Sequence, residues 1–406
     1  MKVKKKELWI LPFSILFLLV VFKGTESGSL PIFAYAMESV GVMVLIAITG
    51  YAMSKQWFHF TVNLWPAIFV FVLLLYILYG YFSFTYSRTA TSTFIYRYII
   101  YVPVMLFSLN VADTERLLKW SEKWILLIAL VFCLQYPFSG VNGSFLGSYQ
   151  NVGAALSIGL TMMLINLFTK NRVNRKDVIL CLFVTLVLLM TGKRTFTIIP
   201  YGILFLFYLK GCSPERRKRI LRILVPILVA VPVVIFLKPD LLLMVTRIFD
   251  SDGSISLTGR EHYWELAIAL WKDNFVHGTG IGTYSTYIVE NSQMVLRKFG
   301  VQHVYSTHNI YLQLLAEGGI VGFSLWVAFF ACCIVASYRL LNFVKRDGEP
   351  GYVDVCSKAL ALQLWFVLYG FTGNPLTSVN HMYLFLFATM MIQSVKYELR
   401  RDRENM

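Results

Sequence analysis

The stretch Ser306-Thr307-His308-Asn309 stands at the head of a long apolar run that begins at Ile310. Histidine is the side chain whose ordinary pKa lets it act as a neutral base near pH 7, and an amide beside it can orient a hydroxyl. If Ser306 and Thr307 cap the helix, His308 and Asn309 fall in its first turn. There, unpaired N–H groups and the positive end of the helix dipole disfavour a protonated imidazole. A polar cap at an interface is the simpler alternative. Two other stretches carry cations suited to anionic oxygens: Thr191-Gly192-Lys193-Arg194-Thr195, between two apolar runs, and Thr258-Gly259-Arg260. Arginine offers a permanent charge and a planar fork that fits phosphate; snorkelling or solvated charges are the plainer reading. Gly278, Gly280 and Gly282 in HGTGIG follow no strand, so they are tight turns rather than a dinucleotide fingerprint. Asp250-Ser251-Asp252-Gly253 lacks the later acidic ligands of a calcium loop and reads as a turn.

These residues have to be positioned by a membrane protein. The chain has 406 residues, 57% hydrophobic and 16% aromatic, only 15% charged, with a mean hydropathy of +0.64. About twelve apolar runs are long enough to span a bilayer singly or with help from neighbours. The fold class is therefore all-α and polytopic, with about 12 transmembrane helices. The net charge of +15 invites a nucleic-acid reading, but its distribution excludes one. Basic residues mark alternate connections: Lys2 to Lys6, Lys55, Arg116 to Lys123, Lys170 to Lys176, Lys210 to Arg222, Arg339 to Lys358, and Lys396 to Arg403. That alternation places both termini of a multi-pass protein in the cytoplasm.

The opening MKVKKKELWILPFSILFLLVVF resembles a signal peptide, but only Lys23-Gly24-Thr25-Glu26 follows, so an uncleaved first helix is expected. One connection, from Lys238 to Thr307, is far longer than the rest. It is rich in aromatics, and EHYWELAIALW places Trp264, Ala267, Ile268 and Trp271 on one helical face. The expected organisation is thus residues 1–237 as nine spanning helices, 238–307 as an outer-face subdomain of amphipathic helices, and 308–406 as three more helices with a cytoplasmic tail. Cys133, Cys181, Cys332 and Cys333 fall in spans, with Cys212 and Cys356 on the cytoplasmic side, so neither a disulfide framework nor a zinc cluster is expected.

His308-Asn309, nine residues, Gly319, two residues and Gly322 match a pattern of the O-antigen ligases and the related Wzy-type polysaccharide polymerases. Three further stretches resemble that family in the same order: Gly143 to Gly159, with Asn151; Leu188 to Gly202, with its hinge arginine; and Thr258 to Tyr284, with loop arginine, helix tryptophan and glycine turn. Where the family often has serine and glycine around the hinge arginine, this chain has Lys193 and Thr195, and Val276 stands where proline commonly precedes the glycine turn.

The resemblance implies a GT-C-like glycosyltransferase. Its donor would be a polyprenyl-diphosphate-linked oligosaccharide and its acceptor a glycan hydroxyl. His308 would take the hydroxyl proton, and Arg194 and Arg260 would hold the diphosphate with Lys193 in support. Asn309, Glu317, Asn151, Gly280 and Gly282 would contact substrate or orient the base. No cofactor or metal is implied, because the arginines replace a cation at the diphosphate. A flippase and a chain-length regulator are the implied protein partners. Polymerisation of repeat units is the favoured activity. Ligation of a finished glycan to another acceptor is the alternative, and transport by a flippase a third, with Glu38 and Arg97 as its in-span charges.

Overall fold

The structure, a computed structural model, describes residues 58–60, 64–83, 107–109, 111–139, 149–170, 174–209, 218, 221, 260–301, 303–347, 350–376 and 379–404. The readings of Glu38, Arg97, Asp250-Ser251-Asp252-Gly253 and Thr258-Gly259, and the boundary at residue 237, lie outside them. So does the side chain of Asn151. Apart from a three-residue antiparallel pair, β1 (Phe58–Phe60) with β2 (Phe107–Leu109), every described element is a helix. The apolar run ending at Leu109 thus closes in a strand, its backbone bonding to β1.

The helices are α1 (Leu64–Ser83), α2 (Val111–Ser139), α3 (Tyr149–Thr169), α4 (Arg175–Met190), α5 (Arg194–Leu209), α6 (Glu261–Asp273), α7 (Tyr284–Glu290), α8 (Ser292–Phe299), α9 (Ile310–Asp347), α10 (Pro350–Tyr369) and α11 (Val379–Glu404). Among the described residues, three stretches are long and apolar enough to cross a membrane: Val152–Thr169, Ile310–Arg346 and Pro350–Tyr369. The perimeter of the bundle is apolar too, with Ile198 67%, Leu134 64% and Phe71 62% exposed. A bilayer, not water, is the solvent that such a surface fits.

At the centre lies α3, buried almost wholly among α2, α4, α5 and α10. Small residues permit this: a Cβ at Gly159 would fall inside the Ile125 side chain of α2, and one at Gly153 would sit 2.9 Å from the Phe196 ring of α5. Inside α5, Pro200 has no N–H for the Phe196 carbonyl one turn earlier. Ser157 of α3 donates its hydroxyl to that carbonyl and accepts at 2.8 Å from the Trp365 indole of α10. A proline in one helix is thereby converted into a link between three.

A polar cluster sits at the start of α10. Lys358, 4% exposed at its side chain, pairs with Asp354 at 2.8 Å and with Glu122 of α2 at 3.6 Å. Asn166 and Thr169 of α3 donate to the same two carboxylates. The expectation of Lys358 as a loop charge is therefore corrected: it is buried within the helix, where two carboxylates hold it. Cys356 likewise lies buried in α10, and the described cysteines are free thiols.

Residues 260–301 build a smaller core of their own. Tyr263, Leu266, Ala267 and Leu270 of α6 pack with Tyr284, Ile288, Val295, Val301 and Ala316. The buried face of α6 is thus one position away from the expected one, since Ile268 is exposed and Trp264 and Trp271 are half-buried. The reason is that α7 and α8 cover the Tyr263 side.

Candidate active site

The head of α9 differs from the expected cap. The helix begins at Ile310, and Asn309 is its capping residue: its side-chain carbonyl accepts from the Tyr311 N–H at 3.1 Å and the Leu312 N–H at 3.3 Å. Thr307 in turn braces Asn309, its hydroxyl donating to the Asn309 carbonyl at 2.6 Å and accepting from the Asn309 N–H at 3.2 Å. The Ile310 N–H goes to the Gly370 carbonyl at the end of α10. His308 therefore stands ahead of the helix, not in its first turn. It has φ 52°, the one positive φ outside glycine among the described residues. Such a conformation costs about 1 kcal/mol or more and is retained where the surroundings dictate it.

Those surroundings are cationic. Burial, then Arg260, then Lys193 hold the His308 pKa down at about 4, so the ring is neutral at pH 7. Arg260 stands immediately before α6 and donates to the Thr372 carbonyl at 3.4 Å, with Tyr369 beside it. Burial lowers its pKa from the ordinary value, yet a guanidinium remains charged at neutral pH. Trp264, one turn into α6, donates its indole N–H to the Thr307 carbonyl at 2.9 Å, which fixes the loop next to His308. Lys193 and Arg194 open α5 after Gly192, whose φ is 74°. Two of the cations singled out in the sequence, Arg260 and Lys193, thus act on His308, which was singled out with them. Arg194 begins the helix whose Phe196 ring lies 5.0 Å from Tyr369.

Glu317, Gly280 and Gly282 are engaged inside the frame. α9 breaks at Gly319, where φ is 59° and ψ −165°. In an unbroken helix the carbonyls of Ala316 and Glu317 would accept from the N–H groups of Ile320 and Val321. Here the segment following α6 supplies replacements. Thr279 and Gly280 donate to the Ala316 and Glu317 carbonyls at 2.9 and 2.8 Å, and the Phe275 and Val276 carbonyls accept from Ile320 and Val321 at 2.9 and 3.3 Å. The two backbones cross at Gly278 and Gly319, where a Cβ on either would collide with the other's main chain. That contact is the physical reason for a glycine ten residues after Asn309.

The Glu317 side chain, 3% exposed, continues the splice by accepting from the N–H groups of Gly282 at 2.8 Å and Tyr284 at 3.1 Å. Gln313 also donates to it at 3.0 Å and accepts from Asn374 at 2.7 Å. Polar bonds therefore run from the glycine turn through Glu317 and Gln313 to the loop after α10, whose Thr372 receives Arg260. Tyr369, Thr372, Gln313 and Asn374 carried no signal in the sequence, lying over 50 residues from the glycine motifs they serve or within an apolar helix.

Residues 179–327 match the O-Antigen ligase family. This stretch is similar to the O-antigen ligase family. Its bounds enclose the Lys193-Arg194 hinge, Arg260, the glycine turn, His308 and the helix break. No curated protein matches the chain. This similarity together with the apolar helices supports a glycan ligase or polymerase type of function in a membrane, with lipid-linked glycans as substrates.

Proposed function

We propose that this protein is an integral membrane glycosyltransferase that polymerises lipid-diphosphate-linked oligosaccharide repeat units at the outer face of the bacterial cell membrane. On this reading it has about twelve spanning helices in a GT-C-like arrangement and both termini in the cytoplasm. What supports the activity is one observation: a half-buried neutral histidine flanked by Arg260 and Lys193, with no carboxylate paired to Arg260 among the described residues. A guanidinium with no carboxylate among those residues suits an anionic ligand, and a diphosphate is the anion such lipids carry.

In the reaction, an acceptor hydroxyl oxygen attacks the anomeric carbon of the donor's reducing-end sugar. The bond from that carbon to the diphosphate oxygen breaks, the lipid diphosphate leaves with the electron pair, and the hydroxyl proton passes to a ring nitrogen of His308. Arg260, Arg194 and Lys193 stabilise the charge that grows on the leaving group. A base with a pKa of about 4 is neutral but weak. Bound diphosphate offsets the two cations that depress it, so His308 gains proton affinity when the donor is present. Departure of the lipid diphosphate restores the uncompensated charge, and the ring sheds its proton.

The name of the matched family, O-Antigen ligase, favours transfer of a finished glycan as the second reading. Lipid-linked glycan length in a His308→Ala strain separates the two. Single repeat units stranded on the carrier are expected for a polymerase. Long polymer stranded there establishes the ligase, and unchanged surface glycan removes His308 from the mechanism.

A further inference from the structure

Tyr369 ends α10 at the edge of the site, and three rings fix it: Phe196 at 5.0 Å, His381 at 5.1 Å and Trp365 at 5.3 Å. Gly373 closes another side, since a Cβ there would lie 2.7 Å from the phenol oxygen. Phe196 follows Arg194 by two residues, so the same stack ties Tyr369 to the cationic hinge. The turn after α10 ties it to Arg260. The Thr372 N–H returns to the Tyr369 carbonyl at 3.0 Å, and the Thr372 carbonyl receives the guanidinium at 3.4 Å.

Three other held tyrosines among the described residues spend their hydroxyls on protein. Tyr263 donates to His303, Tyr284 to Tyr263 and Tyr311 to Val367, each at a backbone carbonyl. The Tyr369 hydroxyl makes no hydrogen bond among the described residues. A phenol fixed by packing and left with an unspent O–H beside a guanidinium is a preorganised donor. An anion held by the cation would draw the O–H toward itself.

We propose that Tyr369 is a substrate-binding residue whose hydroxyl donates to an anionic oxygen of the lipid diphosphate held by Arg260. This rests on the reading that a diphosphate-linked lipid binds here. It adds to the cationic contacts a neutral, directional one, which fixes the diphosphate's orientation as well as its position.

The test uses the full-length purified chain in phospholipid nanodiscs, titrated with a polyprenyl diphosphate. Tyr369→Phe keeps the ring stack and removes only the O–H. Loss of a hydrogen bond to a charged group corresponds to roughly a tenfold to hundredfold rise in Kd, with Arg260→Ala at least as severe. A Kd within twofold of wild type for Tyr369→Phe, while Arg260→Ala binds weakly, overturns the role of Tyr369 and leaves the site intact. Wild-type binding by both variants, or no binding by the unaltered chain, overturns the diphosphate reading and this inference with it.

Discussion

The two ends of α10 treat a buried cation in opposite ways. At its start, Lys358 is enclosed by Asp354 and Glu122, and those carboxylates are in turn satisfied by Thr169 and Asn166. Beyond its other end, some three helical turns away, Arg260 meets the Thr372 carbonyl and has Tyr369 beside it, with no carboxylate paired to it among the described residues, and the neighbouring histidine is kept neutral. A cation matched by fixed carboxylates has no charge left for a ligand and holds helices together. A cation matched by a carbonyl retains its charge for something that arrives later.

Substitutions at the two ends should separate these roles. The largest effect is expected from Arg260→Ala. Losing a charge-assisted contact in the transition state costs about 3 kcal/mol, a hundredfold or more in rate, with thermal stability close to wild type. Arg260→Lys should recover only part, because an ammonium lacks the planar fork. Glycan output and a melting curve on the same preparation check both. A variant that unfolds early would place Arg260 with Lys358.

Lys358→Ala should do the reverse. Removing one member of a buried cluster leaves Asp354 and Glu122 uncompensated, at about 3 kcal/mol of stability. Lys358→Met with Asp354→Asn and Glu122→Gln should restore most of it. Unchanged melting of the single variant would dissolve the contrast. At the crossing, Gly319→Ala meets both a left-handed φ and the Val276 carbonyl, so a loss of about 2 kcal/mol is expected. Protection of the Thr279 and Gly280 amides from hydrogen exchange should fall with it.

The smallest effect sharpens the electrostatics of the Arg260 end. His308 is active when neutral, so activity is present above its pKa and lost as pH falls through it. Lys193→Gln removes one of the charges that depress that pKa, and the acid limb of the pH–rate profile should move upward. A limb that stays put would show that Lys193 does not act on the base.

Much of the bundle was legible because burial in protein and burial in lipid select the same residues. The apolar runs Val152 to Phe168 and Phe196 to Leu209 lie inside α3 and α5, and the run Ser357 to Phe371 overshoots the end of α10 by two residues. What hydropathy cannot convey is how a run is interrupted. Gly318, Gly319 and Gly322 in Ile310 to Leu341 are compatible with a straight helix, and only the neighbouring Phe275–Gly280 backbone makes Gly319 a break. The same limit hid the role of Glu317, whose N–H partners lie 33 and 35 residues away. Trp264, Ala267, Ile268 and Trp271 share a helical face by spacing, but periodicity does not say which side α7 and α8 will cover, and they cover the Tyr263 side. Lys193, Arg260 and His308 were suspected from residue type. The influence of the two cations on the histidine is tertiary, and so is the Tyr369–Thr372 turn that carries Arg260.

The splice across the broken helix also bears on how such proteins can be recombined. Four backbone hydrogen bonds join residues 275–280 to residues 316–321, and Glu317 adds two more at the next turn. The long loop is therefore not an interchangeable module. A chimaera that imports residues 260–301 from a relative while keeping its own residues 310–321 exchanges one half of a zipper. The two segments must be inherited together, with the crossing glycines in register, for the graft to close.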